Sequence, residues 1–120
     1  MIFIGNDIVE ISRIKKNIDN YSHLFINKIF SKEESKYCNN KKFPEIHFAG
    51  KFAAKESVFK AIRQYDNNLK VFFKDIEVLN DSNSKPFIRI QKLEFSAQKI
   101  QISISHSKSY ATSVAILYKC

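Results

Sequence analysis

The stretch from Pro44 to Arg63, P-E-I-H-F-A-G-K-F-A-A-K-E-S-V-F-K-A-I-R, constrains the fold more than any other part of the chain. It predicts one helix of about five turns, because an α-helix has about 3.6 residues per turn. Pro44 suits the first helical position, where its missing N–H costs nothing. The large apolar residues fall on one stripe, which we expect to be buried. They are Phe48, Phe52, Phe59 and Ile62.

Two charged side chains interrupt this helix where burial would be costly. Lys55 projects near the middle of the stripe and Glu56 lies at its edge. Such charges are unfavourable unless they are paired or bound to a metal. Spacing alone favours an ordinary ion pair between Glu56 and Lys60, four residues apart and worth about 0.3–0.5 kcal/mol. The alternative is a functional site, in which Lys55 and Lys60 meet phosphate groups as point charges.

The composition predicts a folded protein with an anionic partner. With 120 residues, 44% of them hydrophobic, the chain is too short for two ordinary domains, so we expect one domain over residues 1–120. The formal charge of +8 favours nucleic acid, nucleotides, acidic protein surfaces or anionic lipid, without choosing among them. No apolar run approaches the roughly 20 residues of a membrane span, and the first residues do not resemble a secretory signal. Cys38 and Cys120 have no metal-ligand spacing, so we expect a reduced, cytoplasmic protein.

The segments around the long helix predict an α+β fold. Residues 2–11 alternate as a strand that places Asp7 on the same side as apolar neighbours. Three short helices are expected next. They begin at Ser12, at Asn20 or Ser22, and at Ser31, where Glu34 completes a capping box.

Two hairpins are expected after the long helix, built from residues 74–80 with 86–91 and from residues 101–106 with 110–118. The segment 93–99 is undecided between a strand and a short helix. The long helix and the short helices should therefore pack on an antiparallel sheet.

The carboxylates of Asp7 and Glu56 are the first candidates for chemistry. A Mg²⁺ ion that serves phosphates needs little more than one or two carboxylates, water and substrate oxygens. For Asp7 alone, the simpler interpretation is a strand-end side chain that bonds nearby backbone.

The segment S-I-S-H-S, which contains Ser105, His106 and Ser107, is the second candidate. Its hydroxyls, strand-end N–H groups and imidazole suit an anion, although a lone histidine is more often simply hydrogen-bonded. A serine–histidine nucleophile has no G-x-S-x-G elbow to support it, and the common glycine-rich nucleotide loops do not occur.

Four segments together resemble one family. They are G-N-D-I-V-E-I-S-R-I (5–14), F-A-G-K-F-A-A-K-E-S-V-F-K-A (48–61), F-K-D-I-E-V-L-N-D-S-N-S-K-P (73–86) and S-I-S-H-S (103–107). They look like the holo-acyl-carrier-protein synthases, the small single-domain type of 4′-phosphopantetheinyl transferase. This resemblance implies transfer of 4′-phosphopantetheine from coenzyme A to a serine of acyl carrier protein, with release of adenosine 3′,5′-bisphosphate, in fatty acid biosynthesis.

The resemblance also implies residue roles. Asp7 and Glu56 match Mg²⁺-binding acids, and Lys60 matches the lysine beside the transferred phosphate. Glu56 through water and Lys60 are both candidates to accept the serine proton. The segment that meets the phosphates of coenzyme A is matched by Ser105, His106 and Ser107, and we expect Lys55 to contribute there.

The acidic carrier protein is expected to dock on the first helix, where Arg13 matches a docking residue and Lys16 also points outward. The family resemblance further implies a homotrimer with active sites at subunit interfaces.

An RNA-binding module is the alternative that the charge of +8 allows. It lacks a recognisable RNA-binding motif, and the phenylalanines follow a core stripe. A purely structural oligomer would leave Asp7 and Glu56 unexplained.

Overall fold

The computed structural model describes residues 1–90 and 99–119. Within those residues one strand is followed by four α-helices and then four strands. The helices are α1 (Ile11–Tyr21), α2 (His23–Ile29), α3 (Lys32–Asn39) and α4 (Pro44–Tyr65). The strands are β1 (Ile2–Glu10), β2 (Ile76–Asn80), β3 (Pro86–Ile90), β4 (Ile100–His106) and β5 (Tyr110–Tyr118), and a 3₁₀ turn (Phe73–Asp75) precedes β2.

The strands form two antiparallel sheets, one in the order β1-β5-β4 and one of β2 and β3. The expected α+β fold, the long helix and both hairpins are confirmed. Strand β5 is the central strand of the first sheet. Its residue Ser113 lies opposite Asp7 of β1, and its residue Ala111 lies opposite His106 of β4. The undecided segment 93–99 lies, except for its last residue, outside the described residues.

Small side chains let α4 pack on both sides. The predicted stripe is buried at Phe48 and Ile62, but Phe52 and Phe59 are only half-buried, against the ring of Phe73. The most buried positions are instead mostly small, and include Ala49, Ala53, Ala54, Ser57 and Ala61. Such residues allow a sheet to approach the helix closely, so α4 lies between β1 and β5 on one side and the β2–β3 hairpin with α3 on the other.

The close approach of β1 to α4 occurs at Gly5. A β-carbon there would lie 1.8 Å from the carbonyl oxygen of Ser57 and 2.8 Å from the nitrogen of Ala61. Only glycine fits that contact, because any side chain would push the strand away from the helix. The contact holds Asp7, two residues further along the same face, against α4.

The short helices differ in how well their beginnings were predicted. The capping box at Ser31 is confirmed, because Ser31 Oγ accepts from Glu34 N and Glu34 Oε1 accepts from Ser31 N. The expected cap at Ser12 is wrong, since α1 already begins at Ile11, whose N–H donates to the carbonyl oxygen of Ser109 at 2.9 Å. Ser22 precedes α2 but makes no side-chain cap.

Candidate active site

The side chain of Asp7 faces α4 and meets Lys60. Lys60 Nζ lies 3.2 Å from Asp7 Oδ1 and 3.0 Å from the carbonyl oxygen of Asn6. The carboxylate is mostly buried, with 16% of the side chain exposed, whereas the lysine is half-exposed. Lys60 therefore forms its ion pair with β1, across the packed interface, rather than with Glu56 along its own helix.

Glu56 lies on the face of α4 that Asp7 approaches. Burial raises the pKa of Glu56, and the negative charge of Asp7 raises it further, while Lys60 opposes both effects. The two carboxylates repel each other across a space that a cation would stabilise. They line one cavity of about 430 Å³, together with the side chains of Arg13, Phe52 and Tyr110.

These two acids fit a Mg²⁺ ion that is shared with a phosphate-bearing substrate. Among residues 1–90 and 99–119 no cluster of three or more histidine, cysteine or acidic side chains is arranged to hold a metal. A cage made entirely of protein ligands is thus not built there. Mg²⁺ commonly retains waters and substrate oxygens beside one or two carboxylates, and Asp7 with Glu56 could supply that pair.

Arg13 and Lys16 are both exposed on α1, as expected from the burial of Ile11 and Ile14 on its other face. Their positions differ in one respect. Arg13 lines the same cavity as Asp7 and Glu56, whereas Lys16 does not. A charge change at Arg13 would therefore affect the site as well as the surface of the helix.

His106 ends β4 and is exposed at a second cavity of about 260 Å³. Neither Asp7 nor Glu56 lines this second cavity, so one chain keeps the predicted metal acids and the predicted phosphate contact apart. Ser105 is exposed on the opposite face of β4, and Ser107 Oγ accepts from the backbone N–H of Tyr110 at 3.2 Å in the following turn.

Lys55 is not part of either cavity, so the expected contact with coenzyme A phosphates does not fit its placement. Its side chain is fully buried, and Nζ lies 2.9 Å from Glu34 Oε1. It also donates to the carbonyl oxygens of Phe73 and Ile76. Glu34 accepts in addition from Val78 N at 2.8 Å. The positive charge of Lys55 on the apolar stripe is thus compensated by a buried ion pair with Glu34, which connects α4 to α3 and β2.

Sequence reasoning missed two side chains that line the second cavity, His47 and Lys51. Lys51 is almost completely buried, donates to Asn80 Oδ1 at 2.7 Å and lies 4.6 Å from the ring centre of Tyr37. The available signal was the spacing of His47, Lys51 and Lys55, which places three basic residues on one face of α4 at successive turns.

Comparison with known proteins identifies the family of this chain and agrees with its fold. A model of the 4′-phosphopantetheinyl transferase superfamily matches residues 3–115, and the chain belongs to that superfamily. The holo-[acyl-carrier-protein] synthase of Protochlamydia amoebophila (strain UWE25) is 47% identical over 116 residues, which cover 94% of this chain and 94% of the relative. The enzyme of the same name from Chlamydia caviae is 44% identical over 115 residues, covering 94% and 93%.

Solved structures give the same result. The holo-(acyl-carrier-protein) synthase from Bacillus anthracis in complex with CoA (3′,5′-ADP) aligns with a TM-score of 0.77 at 33% identity, covering 96% of this chain and 94% of that one. The Helicobacter pylori synthase in complex with coenzyme A aligns with a TM-score of 0.80 at 30% identity, covering 96% and 99%. The resemblance inferred from the four sequence segments is confirmed. No helix in the described part of the chain is long and apolar enough to cross a membrane.

Proposed function

We propose that this chain is a holo-[acyl-carrier-protein] synthase of 120 residues acting as one domain. It transfers 4′-phosphopantetheine from coenzyme A to a serine of apo-acyl carrier protein and releases adenosine 3′,5′-bisphosphate, in the cytoplasmic synthesis of fatty acids. The observation that carries the proposal is the convergence of Asp7 and Glu56 on one cavity in a member of this superfamily.

Asp7 and Glu56 are proposed to hold Mg²⁺. When bound, this ion neutralises charge that develops on the phosphoryl oxygens and the leaving group. Gly5 fixes Asp7 against α4, so the acids are positioned before substrate arrives. The ammonium group of Lys60 forms an ion pair with Asp7. Because the lysine side chain is half-exposed, it can turn to bind a phosphate oxygen of the substrate.

We also propose that the protein acts as a homotrimer with active sites between subunits. The separation of His106 from Asp7 and Glu56 in one chain supports this proposal, since a neighbouring subunit could bring the two cavities together. The three-stranded sheet also exposes apolar side chains on the face away from α4, which favours a protein contact there. They are Ile2, Ile4, Ile8, Val114 and Ile116.

A transfer assay tests the proposal directly. Purified protein should convert apo-acyl carrier protein to its holo form with coenzyme A, detected by the mass increase of the carrier, and chelation of divalent metal should stop the reaction. Asp7→Asn and Glu56→Gln should each abolish most transfer, and the double variant should lose little more, because residues that act as a unit are non-additive. Asp19→Asn, a matched loss of charge on the exposed part of α1, should transfer normally.

Near-normal transfer that still depends on Mg²⁺ in either single variant would remove the metal assignment. Sedimentation of the wild-type protein tests the trimer separately. Replacing Ile4 and Ile116, which are exposed cross-strand neighbours outside the cavity of Asp7 and Glu56, with glutamate should give monomers that bind the carrier but transfer slowly. A monomeric wild-type protein with full activity would contradict the proposed interfacial site.

A further inference from the structure

The second cavity is bordered by three parts of the fold, two of which contribute basic side chains. His47 and Lys51 lie one turn apart on α4, His106 ends β4, and Ser84 and Pro86 border the cavity from the β2–β3 hairpin. These elements are far apart in the sequence. Their meeting produces a concave surface of about 260 Å³ whose lining, among the described residues, includes three basic side chains and no acidic one.

Lys51 places an ammonium group at this cavity, although burial lowers the pKa of this side chain. Its ammonium group donates to a backbone carbonyl of β2 and to the amide oxygen of Asn80, and neither partner carries a negative charge. The only ion pairs in the described residues that involve α4 are formed by Lys55 and Lys60. The charge of Lys51 is therefore hydrogen-bonded but not neutralised by an ion pair, which leaves the cavity attractive to an anion.

His47 is half-buried at the same cavity and packs edge-on against the ring of Tyr37, with ring centres 6.0 Å apart. Partial burial lowers the pKa of His47, and nearby positive charges lower it further. These charges belong to Lys41, His106 and Lys51, in decreasing order of effect, and are opposed by Glu45. Partial burial, and then the same positive charges that would attract a phosphate, therefore favour the neutral imidazole in the free protein.

We propose that His47 is a second imidazole, beside His106, of a subsite that binds the phosphate of a 3′-phosphorylated adenine nucleotide, and that it takes up a proton when the phosphate arrives. This inference rests on the proposed function, and adds to it a residue that distinguishes phosphorylated from dephosphorylated ligands. His47 touches the ligand in this proposal and takes no part in the transfer step.

The expected pH dependence follows from charge. A phosphate dianion favours the protonated imidazole, so binding raises the pKa of His47 above its lowered value in the free protein. Proton uptake then accompanies binding, and affinity falls as the pH rises from about 6 to about 8. The phosphate itself also titrates in this range, so the contribution of His47 is the difference between wild type and a variant at that residue.

Calorimetric titration with adenosine 3′,5′-bisphosphate, in buffers of different ionisation enthalpy, measures both affinity and proton uptake. His47→Phe keeps an aromatic ring against Tyr37, and His47→Gln keeps hydrogen bonding without the ability to charge. Both variants should bind about tenfold or more weakly at about pH 6, since a charge-assisted hydrogen bond is worth about 1.5–3 kcal/mol. Both should take up fewer protons and show a shallower pH slope. His23→Phe, a change at an exposed histidine of α2, should match wild type.

Two further ligands locate the contact. Adenosine 5′-monophosphate should bind wild type and His47→Phe equally, because it lacks the 3′-phosphate. Inorganic phosphate should bind much more weakly than the bisphosphate. Unchanged proton uptake and pH slope in both His47 variants would overturn the inference, as would inorganic phosphate binding as tightly as the nucleotide. Wild-type protein that binds neither the bisphosphate nor coenzyme A would instead contradict the proposed function.

Discussion

Lys60 Nζ lies 3.2 Å from Asp7 Oδ1, so a side chain of α4 forms an ion pair with one of the two carboxylates of the candidate metal site. The same nitrogen donates to the carbonyl oxygen of Asn6 at 3.0 Å, which holds it against β1. This arrangement puts the lysine in competition with any metal ion that binds Asp7. It also keeps a positive charge beside the candidate metal site.

Replacing Lys60 with methionine should therefore separate metal binding from transfer. Without nucleotide, the variant should bind Mn²⁺, as a spectroscopic substitute for Mg²⁺, up to about fivefold more tightly, because a half-exposed ion pair is worth about 0.2–1 kcal/mol. The rate of phosphopantetheine transfer should fall, because the substrate phosphate loses the positive charge of the lysine side chain. Paramagnetic titration of free Mn²⁺ measures the first effect, and Lys60→Arg is the control that retains charge. Weaker metal binding by Lys60→Met would show that the lysine supports the site instead of competing.

The buried pair of Glu34 and Lys55 should matter for stability. Both side chains are completely inaccessible, and their charged atoms lie 2.9 Å apart. Glu34→Gln leaves the lysine charge buried and unpaired, so the free energy of unfolding should fall by about 3–5 kcal/mol, measured by urea denaturation. The exposed pair of Lys15 and Asp19 is a matched control, and Asp19→Asn should cost about 0.5 kcal/mol or less. A loss below about 1 kcal/mol for Glu34→Gln would mean that the pair is not a structural tie.

The same pair shows where sequence reasoning stops. A lysine on an apolar stripe was correctly recognised as needing a partner, but the partner is Glu34, on another helix. Helical spacing reveals neighbours three or four residues apart and is silent about contacts made by packing. The charge was therefore assigned to phosphate binding, when Glu34, Phe73 and Ile76 already satisfy it.

Local signals were more successful. The capping box at Ser31 depends on residues three apart, and strand alternation depends on neighbours two apart, so both could be predicted. The placement of Asp7 on the inner face followed from that alternation. The cavity that joins His47 to His106 depends on β4 packing near α4, and no local pattern encodes it. The roles of these residues in catalysis and binding stay predictions.

Cys38 should be chemically inert in the folded protein. The thiol is fully buried, and burial raises its pKa from 9.0 to about 12. Because the thiolate is the reactive form, iodoacetamide at about pH 8.5 should modify Cys38 only after unfolding. A Cys120→Ser background isolates the effect, and mass spectrometry of labelled protein with and without urea measures it.

Since the folded-state pKa of Cys38 is the higher one, the thiol favours folding below about pH 9, and that contribution is lost as the pH rises toward 12. Rapid labelling under native conditions would show that the helix pair around Cys38 opens readily.

Lys16 and Arg13 should both contribute to docking of the acidic carrier protein, but only Arg13 should also affect the binding of coenzyme A. Both are exposed on α1, but Arg13 lines the cavity of Asp7 and Glu56. Lys16→Glu should raise the KM for carrier protein while leaving coenzyme A affinity and the melting temperature unchanged. Arg13→Glu should raise that KM and also weaken coenzyme A, and the double reversal should have the largest effect on the carrier.

Salt dependence and a charge-matched control test whether this effect is electrostatic docking. Steering by surface charge is screened over about 8 Å at physiological ionic strength, so added salt should slow the wild type and affect the double reversal much less. Lys74→Glu, the same charge change on the 3₁₀ turn before β2, should behave like wild type in steady-state assays with varied carrier protein. If Lys74→Glu raises the KM as much as Lys16→Glu does, the net charge of +8 acts as a whole and α1 is not the docking surface. An unchanged KM in the double reversal would exclude α1 as the docking surface, because both exposed charges of the proposed surface would then have been reversed without effect.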